Sequence, residues 1–217
     1  TNNMIDNLEI IKPLLTFDNE GDFYQLFVFL RKKDQVTDKA NHQSVRTIKS
    51  YCITSHEYLE KRYDEIKMLC EVFKARAYIH VAKQNHRDVG MNMISEIVTR
   101  IQSGQINQKN VFDSVVGQIK TQEKRWIVDI DEKEISPLMI AHIEYGCRPF
   151  TEMTFDVAGV PTGYSIGPKI ESIIPTKSGY HLITKRFDVM EFKKQYPNID
   201  IQKKNPTLLY YPNSLNL

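Results

Sequence analysis

The segment Arg125–Asp131 constrains the fold of this chain most strongly, because a large apolar residue occupies every second position from Trp126 to Ile130. In a β-strand, successive side chains point to opposite faces. The two faces of this strand would consist of Trp126, Val128 and Ile130 on one side and Ile127, Asp129 and Asp131 on the other. The segment therefore predicts a sheet whose apolar face is packed and whose other face carries two carboxylates at the strand end.

Asp129 and Asp131 would lie on the same face of this strand, two positions apart. Neighbouring carboxylates repel each other and raise each other's pKa unless a cation lies between them. Hard oxygen ligands suit Mg²⁺ or Mn²⁺. One interpretation is therefore a divalent metal site, and the other is a pair of solvated acids at a strand end.

Composition limits the class of protein. The 217 residues carry a formal net charge of +2 and are 41% hydrophobic, which is typical of one domain, or of a core domain with a small helical addition. A charge so close to zero argues against binding nucleic acid by charge alone, so such a role requires a local basic surface. No apolar run approaches the ~18 residues of a membrane-spanning helix, so no membrane association is expected. Three widely spaced cysteines without a CxxC motif favour a reducing compartment, and we expect a cytoplasmic protein.

Hydrophobic patterning predicts mixed helices and strands without a regular βαβ rhythm. Helices are expected after the capping box that starts at Thr54, and over residues 89–101, 110–120, 135–145 and 188–196. Glycines and prolines predict a loop or a loose hairpin over residues 151–168. Strands are expected over residues 23–30, 47–53, 75–81, 125–131, 170–175, 180–184, 199–201 and 207–211.

Two further segments carry candidate functional groups. In the turn before the strand at 180–184, Lys177, Ser178, the Gly179 backbone and His181 offer hydrogen-bond donors suited to phosphate oxygens. The alternative is an ordinary turn followed by a structural histidine. In the predicted strand 75–81, Arg76 and Tyr78 share one face with His80, and these groups would either line a cleft or face water.

The order of the short motifs resembles the archaeo-eukaryotic primase superfamily, which includes replicative primases, primase-polymerases and the polymerase domains of bacterial end-joining ligases. Its three motifs are an apolar strand ending in Asp-x-Asp or Asp-x-Glu, a Ser/Gly turn leading to a strand histidine, and an apolar residue followed by Asp. The matching residues are Asp129 and Asp131 for the first, Ser178, Gly179 and His181 for the second, and Ile199 and Asp200 for the third.

This resemblance implies an α+β fold, in which an RRM-like antiparallel or mixed sheet carries the acidic motifs and packs with an N-terminal α/β unit and several helices. It implies one catalytic domain over residues 1–217, with the N-terminal unit at about 1–120 and the motif-bearing sheet at about 121–217.

The resemblance also implies the roles of the site residues in a DNA primase or primase-polymerase. Two Mg²⁺ or Mn²⁺ ions would activate a 3′-hydroxyl and stabilise the leaving pyrophosphate. The implied metal ligands are Asp129, Asp131 and Asp200, and the implied nucleotide-binding residues are Ser178, His181, Lys177 and Gly179, with Arg76 and Tyr78 reaching the cleft. The expected partners are a nucleic-acid template, nucleoside triphosphates and a replication protein such as a helicase, in the cytoplasm or, for a phage-encoded chain, the host cytoplasm.

Two other functional classes remain open. Metal-dependent glycosyltransferases share the apolar strand with Asp-x-Asp, but they give Asp200 no role. A non-catalytic nucleic-acid-binding accessory protein of a phage or mobile element would use the polar-aromatic tail, where Lys203, Lys204, Tyr210 and Tyr211 suit phosphate contact and base stacking. Geometry distinguishes the three classes, because the primase hypothesis requires all three aspartates near a common point, with His181 across a cleft.

Overall fold

The chain forms two compact units in the computed structural model, which describes residues 4–31, 46–105, 107–121 and 124–212. The first unit comprises Thr1–Glu123 and Leu209–Leu217, and the second comprises Lys124–Leu208. Helices and antiparallel sheets occur together, which confirms the α+β class predicted from the sequence. Among the described residues, no helix has both the length and the apolar character needed to cross a bilayer.

The strands are β1 (Ile5–Asp6), β2 (Asp22–Leu30), β3 (Arg46–Ile53), β4 (Arg76–Ile79), β5 (Gln84–Asn85), β6 (Trp126–Ile130), β7 (Met153–Phe155), β8 (Pro161–Tyr164), β9 (Ile170–Pro175), β10 (Tyr180–Thr184), β11 (Asp200–Gln202) and β12 (Thr207–Tyr211). The α-helices are α1 (Leu8–Ile11), α2 (His56–Phe73), α3 (His86–Gln102), α4 (Val111–Gln118), α5 (Pro137–Ala141) and α6 (Val189–Gln195). Short 3₁₀ turns cover Lys12–Leu14 and Phe150–Glu152, and a π-helical turn, His142–Gly146, follows α5.

The first unit is built on a sheet with the strand order β1-β12-β4-β2-β3, and β5 also pairs with β2. Helix α2 begins where the Ser55 hydroxyl accepts a hydrogen bond from the Tyr58 amide, one residue later than the predicted capping box. Its buried stripe has helical spacing, which packs this helix into the unit's core. The stripe consists of Leu59, Tyr63, Ile66 and Cys70.

The second unit contains a four-stranded sheet in the order β11-β6-β10-β9, and every neighbouring pair is antiparallel. Along the chain its main elements run β6-α5-β9-β10-α6-β11, which is a βαββαβ sequence with the β7–β8 hairpin inserted before β9. Val128, Ile130 and Leu182 pack in one core cluster with Met139 of α5 and Phe192 of α6. Because these residues occupy one face of β6 and β10, Asp129 lies on the other face.

The position of β12 differs from the prediction. The sequence grouped residues 207–211 with the motif-bearing sheet at about 121–217, whereas the structure places β12 between β1 and β4. All five residues of β12 are buried, as expected for a strand covered on both faces. A continuous apolar run indicates a strand that is buried on both faces, but it does not indicate the sheet to which the strand belongs.

Candidate functional site

Strand β6 is the centre of the candidate site. In the antiparallel register, Asp129 of β6 lies directly opposite His181 of β10 on one side and opposite Asp200 of β11 on the other. Directly opposed residues project their side chains from the same face of a sheet. One residue from each of the three predicted motifs therefore lies in a single row across the sheet.

The carboxylates of Asp129 and Asp200 are joined by a residue that the sequence reasoning missed. The Nε2 atom of Gln202 donates to Asp129 Oδ2 at 3.1 Å and to Asp200 Oδ2 at 3.0 Å. Two N–H groups shared in this way offset part of the repulsion between the carboxylates. The available sequence signal was the spacing, because Gln202 follows Asp200 by two positions and so shares its face of β11.

His181 belongs to this row and is only 8% exposed. Its Nε2 atom lies 3.5 Å from Asp129 Oδ1, and its Nδ1 atom lies 2.9 Å from Thr207 Oγ1. A ring that carries its proton on Nε2 would accept a hydrogen bond from the Thr207 hydroxyl on Nδ1. His181 therefore contacts the first acidic motif directly, whereas the sequence hypothesis required it across a cleft. We call Thr207, His181, Asp129, Gln202 and Asp200 the acid row.

Asp131 is not grouped with the other two aspartates. Strand β6 ends at Ile130, so the alternation that would set Asp131 on the face of Asp129 stops one residue earlier, and Asp131 is exposed. Within the described residues, no three acidic, histidine or cysteine side chains are arranged to hold a metal ion. The structure thus pairs two of the three predicted carboxylates.

The turn before β10 packs against the end of β6. A Cβ atom built on Gly179 would come within 1.9 Å of the Ile130 carbonyl oxygen, so a side chain is excluded there. The Gly179 amide donates to Thr176 Oγ1 at 3.1 Å. The backbone donor that the sequence assigned to a phosphate is therefore used within the turn. Lys177 and Ser178 are exposed in the same turn.

Arg76 and Tyr78 are buried in β4 of the first unit, rather than lining a cleft or facing water. The Arg76 guanidinium lies over the Tyr211 ring at 4.6 Å, and Tyr78 stacks on Phe29 with ring centroids 4.7 Å apart. Aromatic and cation–π packing inside the unit accounts for both side chains.

The polar-aromatic tail also differs from the prediction. Tyr210 and Tyr211 are buried, and the Tyr210 hydroxyl donates to Glu71 Oε1 at 2.9 Å. Lys203 lies 4.7 Å above the ring of Trp126. The two tyrosines therefore serve the core of the first unit, which leaves them unsuited to stacking on bases.

A polar cavity of about 670 Å³ lies in the first unit, between residues 18–22, the start of α3 and residues 119–121. Lys83 pairs with Asp18 at 2.5 Å and holds the pKa of that carboxyl below its usual range. Burial alone would raise the pKa of Asp22, but hydrogen bonds from Asn85 and from backbone amides leave it lowered. Both acidic and basic side chains line this cavity, so its charge favours neither anionic nor cationic ligands.

Comparisons of the chain with protein-family models, with curated proteins and with solved structures found no match.

Proposed function

We propose that this protein is a metal-dependent nucleotidyltransferase of the DNA primase or primase-polymerase kind, which adds nucleotides to a 3′-hydroxyl on a nucleic-acid template. The observation that carries this proposal is the register of β6, which aligns Asp129 with His181 and Asp200. These residues come from three separate motifs of the resemblance, and nothing in the composition alone required them to meet.

The two carboxylates of the acid row are of the ligand type that suits a divalent cation. Asp129 and Asp200 offer hard carboxylate oxygens from adjacent strands, the ligand type that Mg²⁺ and Mn²⁺ prefer. Asp131, exposed one residue past the end of β6, would be the third carboxylate that the resemblance implies. When bound, such ions activate the attacking hydroxyl and neutralise charge on the leaving pyrophosphate.

The protein's own residues would orient these groups. His181 is hydrogen-bonded to Thr207 and lies 3.5 Å from one oxygen of Asp129, so we assign His181 to positioning that carboxylate rather than to binding a triphosphate. Ser178 and Lys177 are the candidates for triphosphate contact, because Gly179 anchors their turn beside the end of β6. The proposed partners are nucleoside triphosphates, a template strand and a replication protein such as a helicase, in a cytoplasmic setting.

The two alternatives explain fewer of the contacts. A glycosyltransferase with Asp-x-Asp gives no role to Asp200, although Asp200 shares the Gln202 amide with Asp129. A non-catalytic nucleic-acid-binding protein needs no paired acids, and the tail tyrosines that suited it are buried.

The test is Mn²⁺-dependent incorporation of labelled nucleotide on primed and unprimed single-stranded templates. We expect incorporation by the wild type, its loss in Asp129→Asn and in Asp200→Asn, and no change in Glu134→Gln, a matched control at an exposed acid of the same unit. Absence of incorporation by folded wild-type protein, or full activity in both aspartate variants, would contradict the proposal.

A further inference from the structure

The two ends of the second unit's sheet differ in charge. Strands β10 and β11 both run antiparallel to β6, so the residues that follow them lie at the end where β6 begins. Thr184 is opposite Trp126 there, and Gln202 is opposite Ile127. Four cationic residues directly follow these strand ends, whereas the two aspartates of the acid row lie nearer the other end. The four residues, which we call the basic end, are Lys185, Arg186, Lys203 and Lys204.

The topology of the sheet brings together cations that are separate in the sequence. Strand β6 lies between β10 and β11, so the pair after β10 and the pair after β11 are two strand spacings apart, or roughly 10 Å. That distance is similar to the Debye length of about 10 Å at 0.1 M salt, so the potentials of the two pairs add. The sheet thus provides the local basic surface that the net charge of +2 did not indicate.

The charges of the basic end are not compensated inside the protein. Three of its side chains are exposed and one, Lys185, is half-buried. None of the four forms an ion pair within the part of the chain that the structure describes. Glu171, near the start of β9, is already paired with Arg125 at 2.7 Å, and Asp188 accepts a backbone amide at the start of α6. The four like charges repel one another, and a bound polyanion would relieve that repulsion.

An indole ring lies between the two cation pairs. Trp126 begins β6, and Lys203 Nζ lies 4.7 Å above its ring. Cations that follow a line, with an aromatic ring among them, are typical of surfaces that bind single-stranded nucleic acid. The ring also packs against Phe187 of the core cluster, so it is not free to insert into a bilayer as the apolar anchor of a basic membrane surface does.

We propose that the basic end binds the phosphate backbone of a single-stranded nucleic acid. Trp126 and Asp129 are three residues apart in β6, or roughly 10 Å, so a strand bound here passes near the acid row. The inference rests on the nucleic-acid partner of the proposed function but not on its cation site, so this binding should require no metal.

The test is the binding of a fluorescein-labelled oligothymidylate, measured by fluorescence anisotropy in EDTA at several salt concentrations. Four phosphate contacts predict a slope of roughly −3 for the logarithm of the binding constant against the logarithm of salt concentration. Two variants each remove two contacts, Lys203→Gln/Lys204→Gln and Lys185→Gln/Arg186→Gln. Each should halve that slope and weaken binding about 20-fold at 0.1 M salt.

Tryptophan fluorescence locates the bound strand, because Trp126 is the only tryptophan of the chain. Saturating oligothymidylate should quench or shift its emission in the wild type. The control Lys61→Gln/Lys194→Gln removes the same charge from two exposed lysines of α2 and α6. It should keep the wild-type affinity, salt slope and fluorescence change.

The outcomes separate the two proposals. Wild-type affinity and slope in both folded pair variants would overturn the inference, and so would a wild type that does not bind. Preferential binding to vesicles of phosphatidylserine and phosphatidylcholine, lost in the same variants, would overturn it in favour of a membrane surface. If one pair variant does not fold, the other decides by the same comparison. Metal-free binding that the pair variants lose, from a wild type that incorporates no nucleotide, would support this inference and overturn only the proposed function.

Discussion

A close backbone contact explains why residue 179 is a glycine. Its position against the Ile130 carbonyl and the backbone of Glu132 brings the turn before β10 onto the end of β6. The sequence indicated a turn here, but it could not reveal this approach, because the two segments are 49 positions apart (179 − 130). A glycine that suits a phosphate-binding turn is thus explained by packing.

Replacing Gly179 should therefore be costly. A methyl group would overlap a backbone oxygen that cannot rotate away, so we expect Gly179→Ala to lower the free energy of unfolding by about 1–3 kcal/mol. Gly167→Ala is the matched control, because a Cβ there meets nothing within 4 Å. Urea unfolding at equilibrium measures both, and equal stability of the two variants would refute the close contact.

His80 should make the stability of the protein sensitive to mild acid. Burial lowers the pKa of His80 to about 4, below its ordinary value of 6.5. The unfolded chain therefore takes up this proton at a higher pH than the folded protein, and stability is lost as the pH falls from about 6.5 to about 4. We expect His80→Gln to lose roughly 2–3 kcal/mol less than the wild type over this range. Parallel unfolding curves at each pH would show that His80 contributes nothing.

Strand β9 begins beside a buried ion pair. Lys169 is 1% exposed; its ammonium donates to Glu152 and to the Arg186 carbonyl oxygen, the latter at 2.7 Å. Glu152 immediately precedes β7, so this ion pair connects the β7–β8 hairpin to the start of β9.

Breaking one side of this pair should destabilise the second unit. Lys169→Met leaves the Glu152 carboxylate with Arg148 at 3.6 Å as its remaining cation, and we expect a loss of about 3 kcal/mol. The double variant Lys169→Met/Glu152→Gln should recover part of that loss, because no buried charge is stranded. A double variant that is less stable than Lys169→Met would contradict this account of the pair.

Local pattern predicted the elements of the second unit well and their pairing poorly. Alternation located β9 and β10 at the residues where the structure has them, and the apolar-acidic pattern located β6 to within one residue at each end. Register is a property of two strands at once, so the sequence could not show that Asp129 faces both His181 and Asp200. The same limit hid Gln202 and Thr207, whose roles depend on partners more than 25 residues away.

The second unit is a continuous insertion into the first. The chain leaves the first unit after Glu123 and returns at Leu209, within β12. Strand β12 then pairs with β1 and lies beside β4, so the sheet of the first unit is completed by its most distant segment. Short sequence windows do not reveal such long-range pairing, which explains why the strand at residues 207–211 was grouped with the motif-bearing sheet.

This arrangement predicts that two truncated chains will differ in which unit folds. A fragment of residues 124–208 retains the whole four-stranded sheet with α5 and α6, and we expect it to fold cooperatively. A chain ending at Leu208 lacks most of β12, so its first unit should lose dispersed amide signals in NMR spectra while the second keeps them. A folded first unit in that chain would contradict the role of β12.

The central claim is that Asp129 and Asp200, aligned across β6 and β11, form one divalent cation site. The most direct test is an anomalous difference map, collected at the manganese absorption edge, from crystals grown with Mn²⁺. We predict a peak at the two carboxylates. A well-phased map with no peak there, or with manganese bound at other acids, would contradict the claim.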